Sequence, residues 1–228
     1  MHVRRNINLL LQRSHYQIVK VFAPGESDAM PPEVLLDDQV LGSRIALERK
    51  HAWIVAAPKS GSTWLSALLE DLLGWRAVGL SGGSCRREQE PDLRQIIRFP
   101  TENILSPHQH CRASDCTVQF IKRFRIKSIL QVRNIYDTII SFRDHCRTEG
   151  LVFPMAYIDR EFLRLSDEQQ FQFIIDLVLP WYFNFYASWF EVEGLGPDNL
   201  FYVTYEDLRQ DPRPVLNQIL DYLVLHGL

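Results

Sequence analysis

The stretch Trp53-Ile54-Val55-Ala56-Ala57-Pro58-Lys59-Ser60-Gly61-Ser62-Thr63-Trp64 decides the fold of this chain. Its first four residues form an apolar run typical of a buried strand. After the turn, apolar residues recur with helical spacing at Trp64, Leu65, Leu68, Leu69, Leu72 and Leu73. A strand, a short turn and a helix direct backbone N–H groups and the positive end of the helix dipole at one point. The stretch therefore predicts a site for a phosphate or a similar anion.

The side chains of the turn add further donors to this predicted anion site. Lys59 supplies a point charge, and Ser60, Ser62 and Thr63 supply hydroxyl groups. The order differs from the Walker motif G-x-x-x-x-G-K-[ST], in which the lysine follows the second glycine and a hydroxyl binds magnesium. Here the lysine comes first and Gly61 is the only glycine of the turn. The motif therefore argues against a magnesium-dependent kinase or nucleotide hydrolase.

Length, composition and charge limit the class of protein. With 228 residues, 46% of them hydrophobic, the chain can bury one sizeable core, and we expect a single domain over residues 1–228. The formal charge of −3 gives no general attraction to nucleic acid or to anionic membranes. No apolar run reaches the roughly 18 residues of a membrane-spanning helix, and the N-terminal segment is too interrupted for a signal peptide. These features predict a cytoplasmic protein.

Strand and helix patterns alternate from residue 51 onward, which predicts an α/β fold with a central parallel sheet flanked by helices. Further strands are predicted over residues 103–109, 128–132 and 199–204. Helices are predicted over 113–124, from a capping box at 166–169 to about 178, over an aromatic segment at 181–191, and after residue 211. The aromatic side chains of residues 181–191 are expected to pack mainly in the core. Residues 1–50 show one candidate edge strand, residues 16–22, followed by a loop.

A second candidate anion ligand follows the strand predicted over residues 128–132. Arg133 stands at the carboxyl end of this strand, where open parallel sheets bind their ligands. Its planar guanidinium suits a phosphate because it offers parallel charge-assisted hydrogen bonds. Asn134 is a good N-cap for the next helix, with Asp137 at its N3 position, and Ser141 lies on that helix. Together with the turn at 58–64, this arrangement predicts that Arg133 and Ser141 bind the same ligand.

A metal site is a weaker alternative use of the residues between these two motifs. His108 and His110 lie near Cys111 and Cys116, which makes a metal site conceivable. Structural zinc sites usually bring a second close pair of ligands, and the chain has none. Reduced cysteines are therefore the better interpretation.

Three segments resemble the sulfotransferases that use 3′-phosphoadenosine-5′-phosphosulfate (PAPS). Residues 58–64 resemble the 5′-phosphosulfate loop P-K-S-G-T-T-W, from which only Ser62 departs, and it keeps a hydroxyl. Residues 133–141 resemble the 3′-phosphate signature R-N-P-x-D-x-x-x-S, with Ile135 in place of the proline. Residues 200–208 resemble the family's F-Y-E-D segment, whose tyrosine corresponds to Tyr205. The resemblance covers roughly residues 51–225.

This resemblance implies a sulfotransferase with a P-loop-like fold that moves a sulfuryl group from PAPS to a hydroxyl or an amine and needs no metal. The product nucleotide would be 3′,5′-diphosphoadenosine (PAP). Tyr205 would lie near the adenine. The full set of implied cofactor ligands is Lys59, Ser60, Gly61, Ser62, Thr63, Trp64, Arg133, Ser141 and Tyr205. The sequence leaves open the oligomeric state and whether the acceptor is a small molecule, a carbohydrate or a lipid.

A sulfuryl acceptor loses a proton as it attacks, and histidine is a natural base because its ordinary pKa lies near physiological pH. In the soluble animal-type members, the motif K-T-H places the base 22 residues before the phosphate-binding arginine. His110 precedes Arg133 by 23 residues and His108 precedes it by 25. His110 is therefore the predicted base, and His108 is the alternative. Because the two lie two residues apart on a predicted strand, they should face the same side.

One departure from the family keeps two other functions open. The family's C-terminal loop R-x-G-x-x-G-x-x-K, which clamps the 3′-phosphate, is not found before Leu228. A catalytically silent relative that binds a nucleotide is therefore the main alternative. A nucleotide-dependent kinase is less favoured, since the turn at 58–64 lacks the Walker order.

Overall fold

The computed structural model describes residues 16–19, 34–37, 49–81, 89–151, 156 and 158–225. The N-terminal part contributes two short strands, β1 (Tyr16–Val19) and β2 (Val34–Asp37), which pair antiparallel in a sheet of their own. The predicted edge strand at 16–22 is thus described over residues 16–19, and its partner is β2 and not the central sheet. The loop predicted after it lies outside the described residues.

Five parallel strands form the central sheet, which confirms the predicted α/β fold. They are β3 (His51–Ala56), β4 (Arg76–Ala77), β5 (Ile104–Gln109), β6 (Lys127–Val132) and β7 (Leu200–Thr204). Their order in the sheet is β4-β5-β3-β6-β7. After β3 the chain forms β4 at one edge, returns to place β5 between β4 and β3, and then crosses to the other side of β3 at β6. Ligands of open parallel sheets bind at such a reversal of strand order, and here it places the ends of β3 and β6 side by side.

Helices connect the strands at positions close to those predicted. The α-helices are α1 (Ser62–Leu73), α2 (Leu93–Ile96), α3 (Asp115–Arg123), α4 (Ile135–Thr148), α5 (Asp167–Phe173), α6 (Leu179–Phe190), α7 (Tyr205–Gln210) and α8 (Pro212–Leu225). A 3₁₀ turn covers Arg160–Arg164, and a π-helical turn, Ile174–Val178, joins α5 to α6. The predicted capping box at Ser166 and Gln169 is present. None of the described helices is long and apolar enough to cross a membrane.

The core has two layers because the side chains of β3 alternate between the two faces of the sheet. Trp53 and Val55 belong to one apolar cluster, which contains the buried aromatic residues of α6. Ala52 and Ile54 belong to the other cluster, which contains the apolar residues of α1 and α8. As predicted, much of the aromatic segment is core. The fully buried aromatic residues of α6 are Tyr182, Phe185 and Trp189.

Candidate active site

The turn between β3 and α1 adopts a conformation that exposes the start of the helix. Lys59 has φ 63° and Gly61 has φ 85°, both in the left-handed region. The N–H of Ser60 donates to the carbonyl of Ala57 at 3.3 Å, and that of Trp64 donates to the carbonyl of Gly61 at 3.1 Å. The N–H groups of residues 61–63 lie between these two bonds, where a helix has no carbonyl of its own to offer them. These three groups, and not that of Ser60, are therefore available to an anion.

Two tyrosines of helix α6 contact this turn through their hydroxyl groups. The Tyr182 hydroxyl donates to the carbonyl of Pro58 at 2.9 Å, and the Tyr186 hydroxyl lies 3.5 Å from Ser60 Oγ. Burial raises the pKa of both tyrosines, so each keeps its proton at neutral pH. Neither tyrosine was predicted from the sequence to belong to the site. The sequence did contain one indication that the two tyrosines act together. They are four residues apart on a predicted helix, which places both hydroxyls on one face.

Tyr205 is the first residue of α7, and its ring covers Gly61. A Cβ atom added at Gly61 would lie 2.3 Å from Tyr205 Cδ2, so only glycine fits beneath this ring. The ring also meets Trp64 edge to face at a centroid distance of 6.4 Å, and the guanidinium of Arg133 lies 4.5 Å from its centroid. Tyr205, which was expected near the adenine, therefore contacts both the turn at 58–64 and Arg133 at the end of β6.

Replacing Gly61 by alanine is expected to destabilise the folded protein. Alanine at φ 85° is strained, and its Cβ would displace the Tyr205 ring. Gly74→Ala is the matched control because Gly74 has φ 59° and a Cβ added there would meet open space. We expect Gly61→Ala to lose about 1–3 kcal/mol more free energy of unfolding than Gly74→Ala in urea titrations, as overpacked cores do. Equal losses would show that Tyr205 does not restrict this position.

Arg133 lies beside the turn and is held to it by a hydrogen bond. Its Nη1 donates to the carbonyl of Lys59 at 2.9 Å. Its Nε is buried and has no hydrogen-bond partner among the residues described. The helix that follows begins as predicted, with the Asn134 side chain accepting from the N–H groups of Tyr136 and Asp137. The guanidinium therefore has a fixed position and a donor that the described protein leaves unused.

Lys59, Arg133 and Ser141 line one cleft of about 350 Å³. One wall of this cleft is a stripe of residues spaced four apart, formed by Asp137, Ser141 and His145 of α4 and by Glu149, which directly follows the helix. The structure thus brings together three of the predicted ligands. It also places Ser60 and Ser62 inside the protein and leaves Thr63 and Trp64 exposed on the first turn of α1. His145 and Glu149 carry no predicted role.

His110 stands just after β5 and contacts the last residue of β3. Its Nδ1 lies 2.8 Å from the carbonyl oxygen of Ala56. Because a carbonyl only accepts, Nδ1 carries the proton and Nε2 is the basic nitrogen. Burial lowers the pKa of His110 to about 4, although the bond to Ala56 opposes this shift. The pKa falls because the imidazolium loses hydration when the ring is buried.

His108 contacts a different element. Its Nδ1 and its backbone N–H both lie 3.4 Å from Ser66 Oγ, on α1. Burial lowers its pKa, and the carboxylate of Glu70 opposes that shift. The two histidine rings lie 5.7 Å apart, in agreement with the prediction that they share a side. Among the described residues, no group of three or more histidine, cysteine, aspartate or glutamate side chains is placed so that it could hold a metal ion. Cys85, another cysteine of the chain, lies outside the described residues.

The model of the sulfotransferase domain family matches residues 49–226. The chain belongs to this family. Human sulfotransferase 6B1 is 27% identical over 188 residues, which cover 77% of this chain and 56% of the relative. The chimpanzee sulfotransferase 6B1 matches with the same identity and coverage. The chain thus spans little more than half the length of these curated sulfotransferases.

A solved structure supports the fold of this sulfotransferase-family chain. The crystal structure of mouse sulfotransferase SULT7A1 complexed with PAP matches with a TM-score of 0.55 and 20% identity. The match covers 86% of this chain and 67% of the mouse protein. At this level of identity the likeness concerns the fold, and it confirms the α/β architecture predicted from the sequence.

Proposed function

We propose that this protein is a PAPS-dependent sulfotransferase that moves a sulfuryl group to a hydroxyl or an amine by in-line displacement. One observation supports this proposal most strongly. Arg133 Nη1 donates to the carbonyl of Lys59 and so connects Arg133 to the turn at 58–64. This bond holds two cationic side chains in one cleft at the reversal of strand order. Membership of the sulfotransferase family supports the same assignment. The acceptor we propose is a small molecule, a carbohydrate or a lipid.

The residues of the cleft fit a nucleotide with two separate anionic groups. The N–H groups of residues 61–63 and the start of α1 suit the 5′-phosphate. The guanidinium of Arg133 and the hydroxyl of Ser141, which both line the cleft, suit the 3′-phosphate. Tyr205 and Trp64 offer aromatic surface next to both anion sites, where an adenine could stack. When bound, PAPS supplies a sulfuryl group attached to a phosphate leaving group.

Two side chains of this protein would act on the reacting atoms. Lys59 would stabilise the negative charge that develops on the bridging oxygen as the sulfur–oxygen bond breaks, and this kind of term is often the largest in such a site. His110 would accept the proton of the acceptor at Nε2, because Nδ1 is bound to the carbonyl of Ala56. At pH 7 its low pKa keeps the ring in the neutral form that can accept a proton. A negative charge nearby would favour the protonated ring as the transfer proceeds.

Calorimetry with two nucleotides tests the proposed donor. The site is expected to bind PAP without magnesium and to bind it more tightly than ATP with magnesium. The reason is that residues 58–64 lack the Walker order, whereas Arg133 and Ser141 would provide a second anion site. Tighter binding of ATP with magnesium would instead support a kinase or a nucleotide hydrolase.

Replacing Arg133 by alanine is expected to remove the preference for PAP over 5′-AMP. A hydrogen bond to a charged group contributes roughly 1.5–3 kcal/mol, so the preference should fall by about tenfold or more. Arg133→Lys is the matched variant, because it keeps the charge but loses the planar fork, and it should retain only part of the preference. Calorimetric titrations of both nucleotides measure the ratio. An unchanged ratio in Arg133→Ala would place the 3′-phosphate site elsewhere.

A further inference from the structure

The Lys59 ammonium contacts two side chains at the C-terminal end of α4. Its Nζ lies 3.2 Å from His145 Nδ1 and 3.9 Å from Glu149 Oε1. The side chains of Lys59 and His145 are 25% and 22% exposed, whereas that of Glu149 is 63% exposed. The carboxylate therefore stands at the mouth of the cleft, and the ammonium lies further inside.

His145 connects the lysine to the carboxylate through a single nitrogen. The same Nδ1 that faces Lys59 lies 2.9 Å from Glu149 Oε2. One ring nitrogen cannot accept from an ammonium and donate to a carboxylate at the same time. With the proton on Nε2, it accepts from Lys59. With the proton on Nδ1, it donates to Glu149, and the carboxylate alone attracts the ammonium.

Other charges in the cleft do not take the place of Glu149. Asp144 also lines the cleft, but its Oδ1 accepts from Arg143 at 2.9 and 3.1 Å. Asp137 lies at the opposite end of the α4 stripe, three turns from Glu149. Arg133, the other cation of the cleft, is bound to the Lys59 carbonyl and stacked on Tyr205. Glu149 is therefore the carboxylate in position to neutralise Lys59.

We propose that Glu149 is an internal counter-anion for Lys59 and that His145 positions the two. These two residues contact the ammonium, and the carboxylate offsets its charge. An entering 5′-phosphate or phosphosulfate anion competes with Glu149 for Lys59 and draws the ammonium toward itself. This inference rests on the proposed function, since it assumes that the cleft binds a nucleotide. The contact itself, however, can be tested without one.

The first test measures the reactivity of Lys59 in the nucleotide-free protein. Trace acetylation with acetic anhydride followed by mass spectrometry gives the modification of Lys59 relative to Lys50. Glu149→Gln should raise this ratio about two- to fivefold, the size of one lost surface ion pair. His145→Leu should raise it as well, and His145→Gln should raise it less because glutamine keeps an acceptor. Glu161→Gln is the control, since Glu161 is 67% exposed and paired with Arg164 at 2.7 Å, outside the cleft. Equal ratios in Glu149→Gln and Glu161→Gln would overturn the proposal.

The second test is a double-mutant cycle on PAP affinity. Glu149→Gln should tighten PAP binding about two- to fivefold when Lys59 is present. In a Lys59→Met background the gain should fall to nearly nothing, because the competition for the ammonium is gone. The same gain in both backgrounds would show that Glu149 repels the nucleotide directly, and it would overturn the competition. If no variant binds PAP, the proposed function is wrong, and the acetylation ratios still decide whether Glu149 holds Lys59.

Discussion

Replacing Lys59 by alanine is expected to lower the turnover number by about 10²–10³ while weakening PAP binding far less. In the proposed mechanism the ammonium faces an oxygen that becomes fully negative only as the sulfur–oxygen bond breaks, so it would favour the transition state over the bound substrate. The turn should survive the substitution, because Tyr182 and Arg133 hold it through the backbone carbonyls of Pro58 and Lys59. Steady-state rates and calorimetry on the same preparation measure the two quantities.

The control for this variant is Lys122→Ala, which removes a lysine of α3, outside the cleft. It should keep the turnover number of the unmodified protein. A Lys59→Ala protein that retained normal turnover would rule out leaving-group stabilisation by this residue. A large loss of PAP affinity with normal turnover would instead make Lys59 a ligand of the ground state only.

Replacing His110 by alanine is expected to leave PAP binding intact and to lower turnover by about 10²–10⁴, the usual contribution of a general base. The loss should shrink for acidic phenols, which are already partly ionised and need less help with the proton. His108→Ala is the comparison, and its effect should be milder because His108 contacts Ser66 on α1 and not the end of β3. Rates with a series of phenols of decreasing pKa measure the trend. A dead His108→Ala protein with a nearly normal His110→Ala protein would reverse the assignment.

The pH dependence of turnover follows from the same residue. His110 accepts a proton only in its neutral form, and burial lowers its pKa to about 4. Because kcat/KM reports the free enzyme, it should be nearly independent of the His110 proton above pH 6 and should fall as pH drops toward this value. The proposed anionic donor would favour the imidazolium, so the inflection in kcat should lie at a higher pH than that in kcat/KM. The inflection should disappear in His110→Ala.

Local features of the site could be predicted because neighbouring residues determine them. The strand at 51–56, the helix after Gly61 and the cap at Asn134 each depend on a few consecutive side chains. The four-residue spacing of Asp137, Ser141 and His145 was also visible in the sequence. Continuing the same spacing by four more residues reaches Glu149, so the sequence could have placed both His145 and Glu149 in the candidate site.

Features that depend on distant parts of the chain could not be predicted. The bond from Tyr182 to Pro58 joins residues 124 positions apart, and no local pattern specifies it. The low pKa of His110 is caused by burial, which is a property of the packed structure. The register shift between β3 and β5, near Pro107 and His108, is likewise a result of strand pairing. The two exposed residues of β4 are too few to give an alternating pattern.

Transfer of radiolabelled sulfate from PAPS is the measurement that tests the central claim most directly. The unmodified protein is incubated with labelled PAPS and a panel of phenols, sugars and lipids, with and without EDTA. We expect labelled product from at least one class of acceptor, no effect of EDTA, and a loss of about 10² or more in the Lys59→Ala protein. Tight PAP binding with no transfer to any member of the panel would contradict the assignment and identify a nucleotide-binding relative without sulfotransferase activity.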